Sequence, residues 1–284
     1  MESLFDAAEN CLLANNIEEK LYLTRQTARA WQNTQLSLSR IGESQSIAEP
    51  GRPAKPDLVA PGNVPKRRLG TKAGFIALIH AVTHIEFNAI NLAWDAVYRF
   101  RDMPQQFYSD WVQVAVEEAY HFELLRQRLN ELGHDYGDLP AHSGLWDMAV
   151  QTAFDPMVRM ALVPRVLEAR GLDVTPGMIG RLRQAGDKTT AAILETILRD
   201  EIGHVKIGSY WFKYCCAQRG LDSEHTFREL INRFFTGQIS GPFHYEARQK
   251  AGFTAAELTA LESLEKEARL STKTYDENQP KSFR

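Results

Sequence analysis

The sequence predicts an all-α protein: a four-helix bundle with extra helices at its N- and C-terminal ends. Three observations carry this. Apolar residues recur at helical spacing along most of the 284 residues, and no strand-like alternation of useful length occurs. Two phrases echo each other, Glu117-Glu118-Ala119-Tyr120-His121 and Asp200-Glu201-Ile202-Gly203-His204, each reading acid-Glu-x-x-His. Two lone glutamates, Glu86 and Glu168, stand 32 and 33 residues ahead of Glu118 and Glu201.

Residues 1–47 read as an N-terminal helical extension of one or two helices, with Leu4, Leu12, Leu21, Trp31 and Leu36 spread among polar residues. Residues 48–70 hold five prolines and three glycines, which exclude regular structure. This arm is either a linker or a strap on the main domain, since Leu58, Val59 and Val64 give it something to bury. The bundle is expected over 71–220. Its first long helix starts at an N-cap, Thr71, and runs to about Arg101. Asp102-Met103-Pro104 breaks it, and a second helix runs from Pro104 to Leu132, closed by Gly133. Fifteen residues of helix from Glu86 to the turn rise about 22 Å, and twelve residues back to Glu118 return about 18 Å. An antiparallel hairpin therefore brings Glu118 to the level of Glu86.

A loop over 134–144 and a short helix from Leu145 to Phe154 lead to Asp155-Pro156, a cap followed by an N1 proline. The helix that follows carries Glu168 and is expected to end near Gly171, with Pro164 kinking it. Thr175-Pro176 is expected to open the next stretch. From Pro176 to Glu201 an unbroken helix would rise about 37 Å, too far for Glu168 and Glu201 to share a level. The chain must therefore break, and Gly186-Asp187 is the place, with Asp187 as the N-cap of a helix reaching to about 218. Residues 221–284 read as a C-terminal helical extension. Ser223 opens one helix, Thr254-Ala-Ala-Glu257 is a capping box for another ending near 270, 238–253 is a loop, and the last dozen residues fray.

The bulk numbers argue against several classes, nucleic-acid binding being disfavoured rather than excluded. A net charge of −3 with 24% charged residues gives no basic excess for a nucleic-acid surface. No apolar run approaches ~20 residues, so no transmembrane helix and no membrane partner are expected. Three cysteines, Cys11, Cys215 and Cys216, form no disulfide framework, which fits a reducing cytoplasm. The N-terminus lacks the basic start and apolar centre of a signal peptide.

On a helix, residues three apart share a face, so each Glu-x-x-His aims a carboxylate and an imidazole at one point. One Glu from each of two helices and one Glu-x-x-His from each of two others make a di-iron carboxylate ligand set. The predicted metal ligands are Glu86, Glu118, His121, Glu168, Glu201 and His204. Apolar neighbours such as Ile85, Ala115, Phe122, Ile197 and Val205 place these acids in a core, where an uncompensated carboxylate is costly. Glu117 and Asp200, each one residue before a ligand, are expected to accept hydrogen bonds from the metal-bound histidines of a neighbouring helix. His80 and His84 lie about 120° and 160° around the helix from Glu86 and read as ordinary hydrogen-bonded histidines. Arg165 and Arg170 flank Glu168 and either pair with acids or bind an anionic substrate.

The chain resembles a bacterial family of ferritin-like proteins known as domain of unknown function 455. The resemblance is carried by His84-Ile-Glu-Phe-Asn-Ala-Ile90, Val114-Ala-Val-Glu-Glu-Ala-Tyr-His-Phe122, Glu168-Ala-Arg-Gly-Leu-Asp-Val-Thr-Pro176 and Asp200-Glu-Ile-Gly-His-Val205. It extends to the Pro-rich arm and to Gly241-Pro-Phe-His-Tyr-Glu-Ala-Arg248. It implies the di-iron fold with the same six ligands, and it implies little about substrate.

Three readings of function follow. The first is an oxidoreductase, hydroxylase-like, with two metal ions (iron, with Mn/Fe or Mn as alternatives), O2 as co-substrate, a small organic substrate and an electron-donor protein as partner. Such an enzyme is expected as a monomer or homodimer. The second is iron handling: ferroxidase, storage or detoxification. A metal-stabilised scaffold without turnover is the third reading. Ligand type alone does not fix the metal.

Overall fold

The computed structural model describes residues 1–39, 42–64, 71–237 and 239–277, with side chains described to residue 267. Part of the Pro-rich arm (65–70) and residues 278–284 of the C-terminal tail therefore lie outside the described residues. The protein is all-helical. Among the described residues extended pairing is limited to two isolated bridges, Ser3 with Ser37 and Leu58 with Ala141. Among the described residues eleven α-helices follow in order: α1 Leu4–Leu13, α2 Ile17–Gln32, α3 Lys72–Arg99, α4 Gln105–Glu131, α5 Gly144–Gln151, α6 Pro156–Leu162, α7 Ala169–Gln184, α8 Lys188–Gln218, α9 Ser223–Phe234, α10 Tyr245–Lys250 and α11 Ala255–Glu277. A π-helical turn, Val163–Glu168, joins α6 to α7.

The chain packs into two units, Met1–Arg159 with Met178–Asp200, and Met160–Gly177 with Glu201–Arg284. The first is built on the α3–α4 hairpin. Thr71 Oγ1 caps α3 by accepting the Gly74 N–H at 3.1 Å. Gly133 ends α4 in the left-handed region, φ 82°, which a side chain would strain. Ile76 and Ile79 of α3, Leu125 and Leu129 of α4, Ile179 and Leu182 of α7, and Ala191, Leu194 and Ile197 of α8 form one apolar cluster. By length and composition α3 could cross a membrane, which the sequence reading did not anticipate. The reason is packing: 61% of its most apolar stretch is buried in the protein. The Pro-rich arm lies along the 134–144 loop, where the Val59 N–H donates to Ala141 O and the Ala141 N–H to Asp57 O.

Gly186, at φ 85°, separates α7 from α8. Asp187 Oδ1 caps α8, accepting the Thr190 N–H at 2.9 Å, and pairs with Arg128 at 3.2 Å. The expected end near Gly171 is corrected: α7 continues through Gly171 and Pro176 to Gln184. A proline removes one N–H and a helical glycine costs about 1 kcal/mol. Ala169, Leu172, Ile179 and Leu182, all buried, keep helical spacing across both breakers and outweigh them. The expected kink at Pro164 takes the form of the π-helical turn, a common way to absorb a local defect.

In the second unit α9 opens at Ser223, as expected, and Asp222 caps it. The capping box of α11 is reciprocal: the Thr254 N–H donates to Glu257 Oε2 at 2.9 Å and the Glu257 N–H to Thr254 Oγ1 at 3.1 Å. The expected loop over 238–253 contains a short helix, α10, capped by His244 Nδ1. Pro164 packs on Gly208 of α8 so closely that a Cβ on Gly208 would overlap the proline ring. All three cysteines are buried.

Candidate metal centre

In the first unit the α3–α4 hairpin aims Glu86, Glu118 and His121 at one point. Each offers a ligand atom within 4.8 Å of the others. All three are buried, His121 completely. His121 Nδ1 lies 3.3 Å from Glu86 Oε2 and 3.4 Å from Glu118 Oε2. These separations exceed the ~2.7–2.9 Å of a charge-assisted hydrogen bond. Glu86 Oε2 meets no hydrogen-bond geometry with any described residue.

The far face of the ring explains which nitrogen is available. Asp200 Oδ2 lies 3.1 Å from His121 Nε2, so Nε2–H donates there and Nδ1 faces the carboxylates. Arg199 donates to Asp200 Oδ1 at 3.0 Å. Burial works against the charge of Asp200, but Arg199 and His121 outweigh it and hold its carboxyl below the usual range. Glu117 is half-buried on α4 and accepts from Gln113 Nε2 at 2.8 Å.

Electrostatics make the group uncomfortable without a cation. Burial, followed by the neighbouring charge of Glu118, drives the Glu86 pKa well up. Burial disfavours a protonated His121, but the Glu118 and Glu86 carboxylates outweigh it and push its pKa up to about 11. Two hard oxygen donors and one imidazole are the donor set of a first-row divalent metal. The residues fit such an ion.

The second unit repeats the pattern on α8. His204 Nδ1 lies 3.6 Å from Glu201 Oε1, with His204 buried. Glu168 is the last residue of the π-helical turn and is half-buried. His80 and His84 are engaged elsewhere: His80 Nε2 accepts the Gly137 N–H at 2.9 Å, and His84 Nδ1 lies 2.9 Å from the Tyr136 hydroxyl.

Sequence reasoning missed three cations buried in the structure. Lys20 donates to Cys11 O, Leu12 O and Asn91 Oδ1 in the first unit. Arg159 pairs there with Asp95, which also holds Arg99. Arg248 binds Asp173 through two nitrogens in the second unit. No local pattern marks them; the side-chain partners Asn91, Asp95 and Asp173 lie 71, 64 and 75 residues away.

The family described as "Protein of unknown function (DUF455)" matches residues 13–259. A relative from Haemophilus influenzae, named only "Uncharacterized protein", is 42% identical over 268 residues, covering 90% of this chain and 89% of the relative. No solved structure matches. With a match that takes in both acid-Glu-x-x-His phrases and both lone glutamates, the chain belongs to the DUF455 family.

Proposed function

We propose that this chain is a di-metal carboxylate protein with a ferritin-like four-helix bundle, its ligands being Glu86, Glu118, His121, Glu168, Glu201 and His204. The observation that carries the reading is the buried convergence of Glu86, Glu118 and His121, with His121 oriented by Asp200. The repeated phrase on α8, with its own Nδ1-to-carboxylate approach, supplies the second half by the same logic.

The metals in this reading are iron, with Mn/Fe and Mn as alternatives, and the protein is an oxidoreductase using O2 on a small organic substrate. An electron-donor protein is its partner, and the chain works as a monomer or homodimer in the cytoplasm. A bound iron pair supplies the redox electrons that O2 reduction needs. The protein's own contributions are distinct. Asp200 fixes the tautomer of His121, and the carboxylates offset cationic charge. The apolar packing of α3 and α4 keeps bulk water away from the ligands.

The test is metal content with and without the ligands. The purified protein is expected to hold about two metals per chain, and the Glu118→Ala/Glu201→Ala double variant none. Full metal content in that variant would sink the assignment. Reduced protein is expected to consume O2 in proportion to its iron. Iron handling is the competing reading, and assembly size separates the two: a large shell of many subunits favours storage, a monomer or dimer an enzyme.

A further inference from the structure

The second unit contains a cavity of about 180 Å³ lined by residues of the π-helical turn, α7, the segment before α10, α10 itself and α11. Three of its lining residues are arginines, Arg165, Arg170 and Arg248, and none of the described lining residues is acidic. Most of the remaining lining is apolar, including Phe235, Phe243 and Leu261.

Two of the arginines are almost wholly buried, and each is one partner short. Arg165 is fully buried. Its Nε donates to Ser209 Oγ at 3.2 Å and its Nη2 to Glu257 Oε1 at 2.6 Å. Arg248 is 3% exposed. Its Nε and Nη2 donate to the two oxygens of Asp173 at 2.9 and 2.7 Å. In both, Nη1 is buried with no hydrogen-bond partner among the described residues. The guanidinium carbons lie 4.6 and 5.0 Å from the centre of one shared ring, Phe253. That ring helps hold two like charges near each other, but it does not satisfy an N–H.

Buried donors left over on two cations call for an acceptor, and the cavity that both line has room for one. Its volume is below the ~300–1,000 Å³ of drug-sized pockets and close to the ~150 Å³ that accommodates benzene in an apolar core. We propose that this cavity binds a small organic carboxylate, its acid group on Arg165 and Arg248 and its hydrocarbon body against Phe235, Phe243 and Leu261. Leu167, which also lines the cavity, directly precedes the proposed ligand Glu168. That the carboxylate is the substrate class of the metal centre rests on the reading above; that the cavity binds it does not.

The experiment is calorimetric titration of the full-length protein, metal-loaded and metal-stripped, with acetate, butyrate, benzoate, benzamide and inorganic phosphate. Affinity is expected to rise from acetate to benzoate. Benzamide, which keeps the body and loses the charge, is expected to bind at least 10-fold more weakly than benzoate, as is phosphate. Leu261→Trp, which fills the cavity and leaves both arginines in the sequence, is expected to weaken benzoate at least 10-fold with the helical circular dichroism retained. Arg248→Gln is expected to erase the preference for benzoate over benzamide. The proposal is overturned if none of the carboxylates binds below about 10 mM, if benzamide or phosphate matches benzoate, or if folded Leu261→Trp binds benzoate unchanged. Metal content measured on the same samples keeps the two readings apart. Carboxylate binding by a protein that takes up no metal leaves this inference standing and removes the metal centre; two metals per chain without carboxylate binding does the reverse.

Discussion

Replacing Lys20 by methionine isolates what a buried ammonium does for the first unit. The side chain is fully buried. Its nitrogen donates to Cys11 O at 2.8 Å, Leu12 O at 3.1 Å and Asn91 Oδ1 at 2.8 Å, tying the end of α1 to α3. Methionine keeps most of the apolar stem, so the change removes chiefly the donors. Leu12 O retains the Gly51 N–H at 2.9 Å, whereas Cys11 O and Asn91 Oδ1 lose a buried donor. Each such loss costs about 1–3 kcal/mol, partly offset because no charge need be desolvated. The net destabilisation at pH 7 is about 2–4 kcal/mol. The pH dependence adds a second signature. Burial pushes the ammonium down to about 7 from its ordinary 10.5. Between those values the unfolded chain keeps a proton that the folded chain has released, so the stability contributed by Lys20 rises with pH, by about 1.4 kcal/mol per unit. The variant lacks this slope. The gap between the two proteins should therefore widen by about 2–3 kcal/mol from pH 7 to pH 9. Urea unfolding followed by circular dichroism at both pH values measures it. A difference below about 1 kcal/mol at pH 7, or a gap that stays constant or narrows at pH 9, refutes the reasoning.

Three further outcomes follow from single contacts. Asp187→Ala removes the cap on Thr190 and the pair with Arg128, and should lower stability by about 1–2 kcal/mol in denaturant titration. Gly208→Ala puts a methyl into the Pro164 ring and should cost about 1–3 kcal/mol, whereas Gly180→Ala, with open space around it, should not destabilise. Asp200→Asn weakens the hold on His121 Nε2–H and should reduce metal affinity ~10–100-fold in competition with a chelator, with the fold intact.

Local chemistry was legible in the sequence. Thr71, Asp187 and the Thr254–Glu257 box cap helices because short polar side chains fit orphan N–H groups. The break at Gly186 followed from rise per residue, since a straight helix could not return Glu201 to the level of Glu168. The Glu86–Glu118–His121 group was legible because an i, i+3 pair and a hairpin of matched lengths fix three residues at once. What was not legible depends on tertiary packing. The continuation of α7 through Pro176 turns on Leu172, Ile179 and Leu182 being buried, which outweighs local propensity. The π-helical turn is one of several ways to absorb Pro164, and its form has no sequence signature. Lys20 and Arg248 look like surface charges until Asn91 and Asp173, each about 70 or more residues away, are folded against them.

The proposed function depends on the metals. A crystal of the iron-reconstituted protein, with diffraction recorded on either side of the iron absorption edge, tests it most directly. The expected result is two anomalous peaks per chain about 3.5–4 Å apart, one of them bonded to His121 Nδ1 and to carboxylate oxygens of Glu86 and Glu118. A map with no peak within bonding distance of His121 Nδ1, and a protonated His121 hydrogen-bonded to the two glutamates instead, would contradict it.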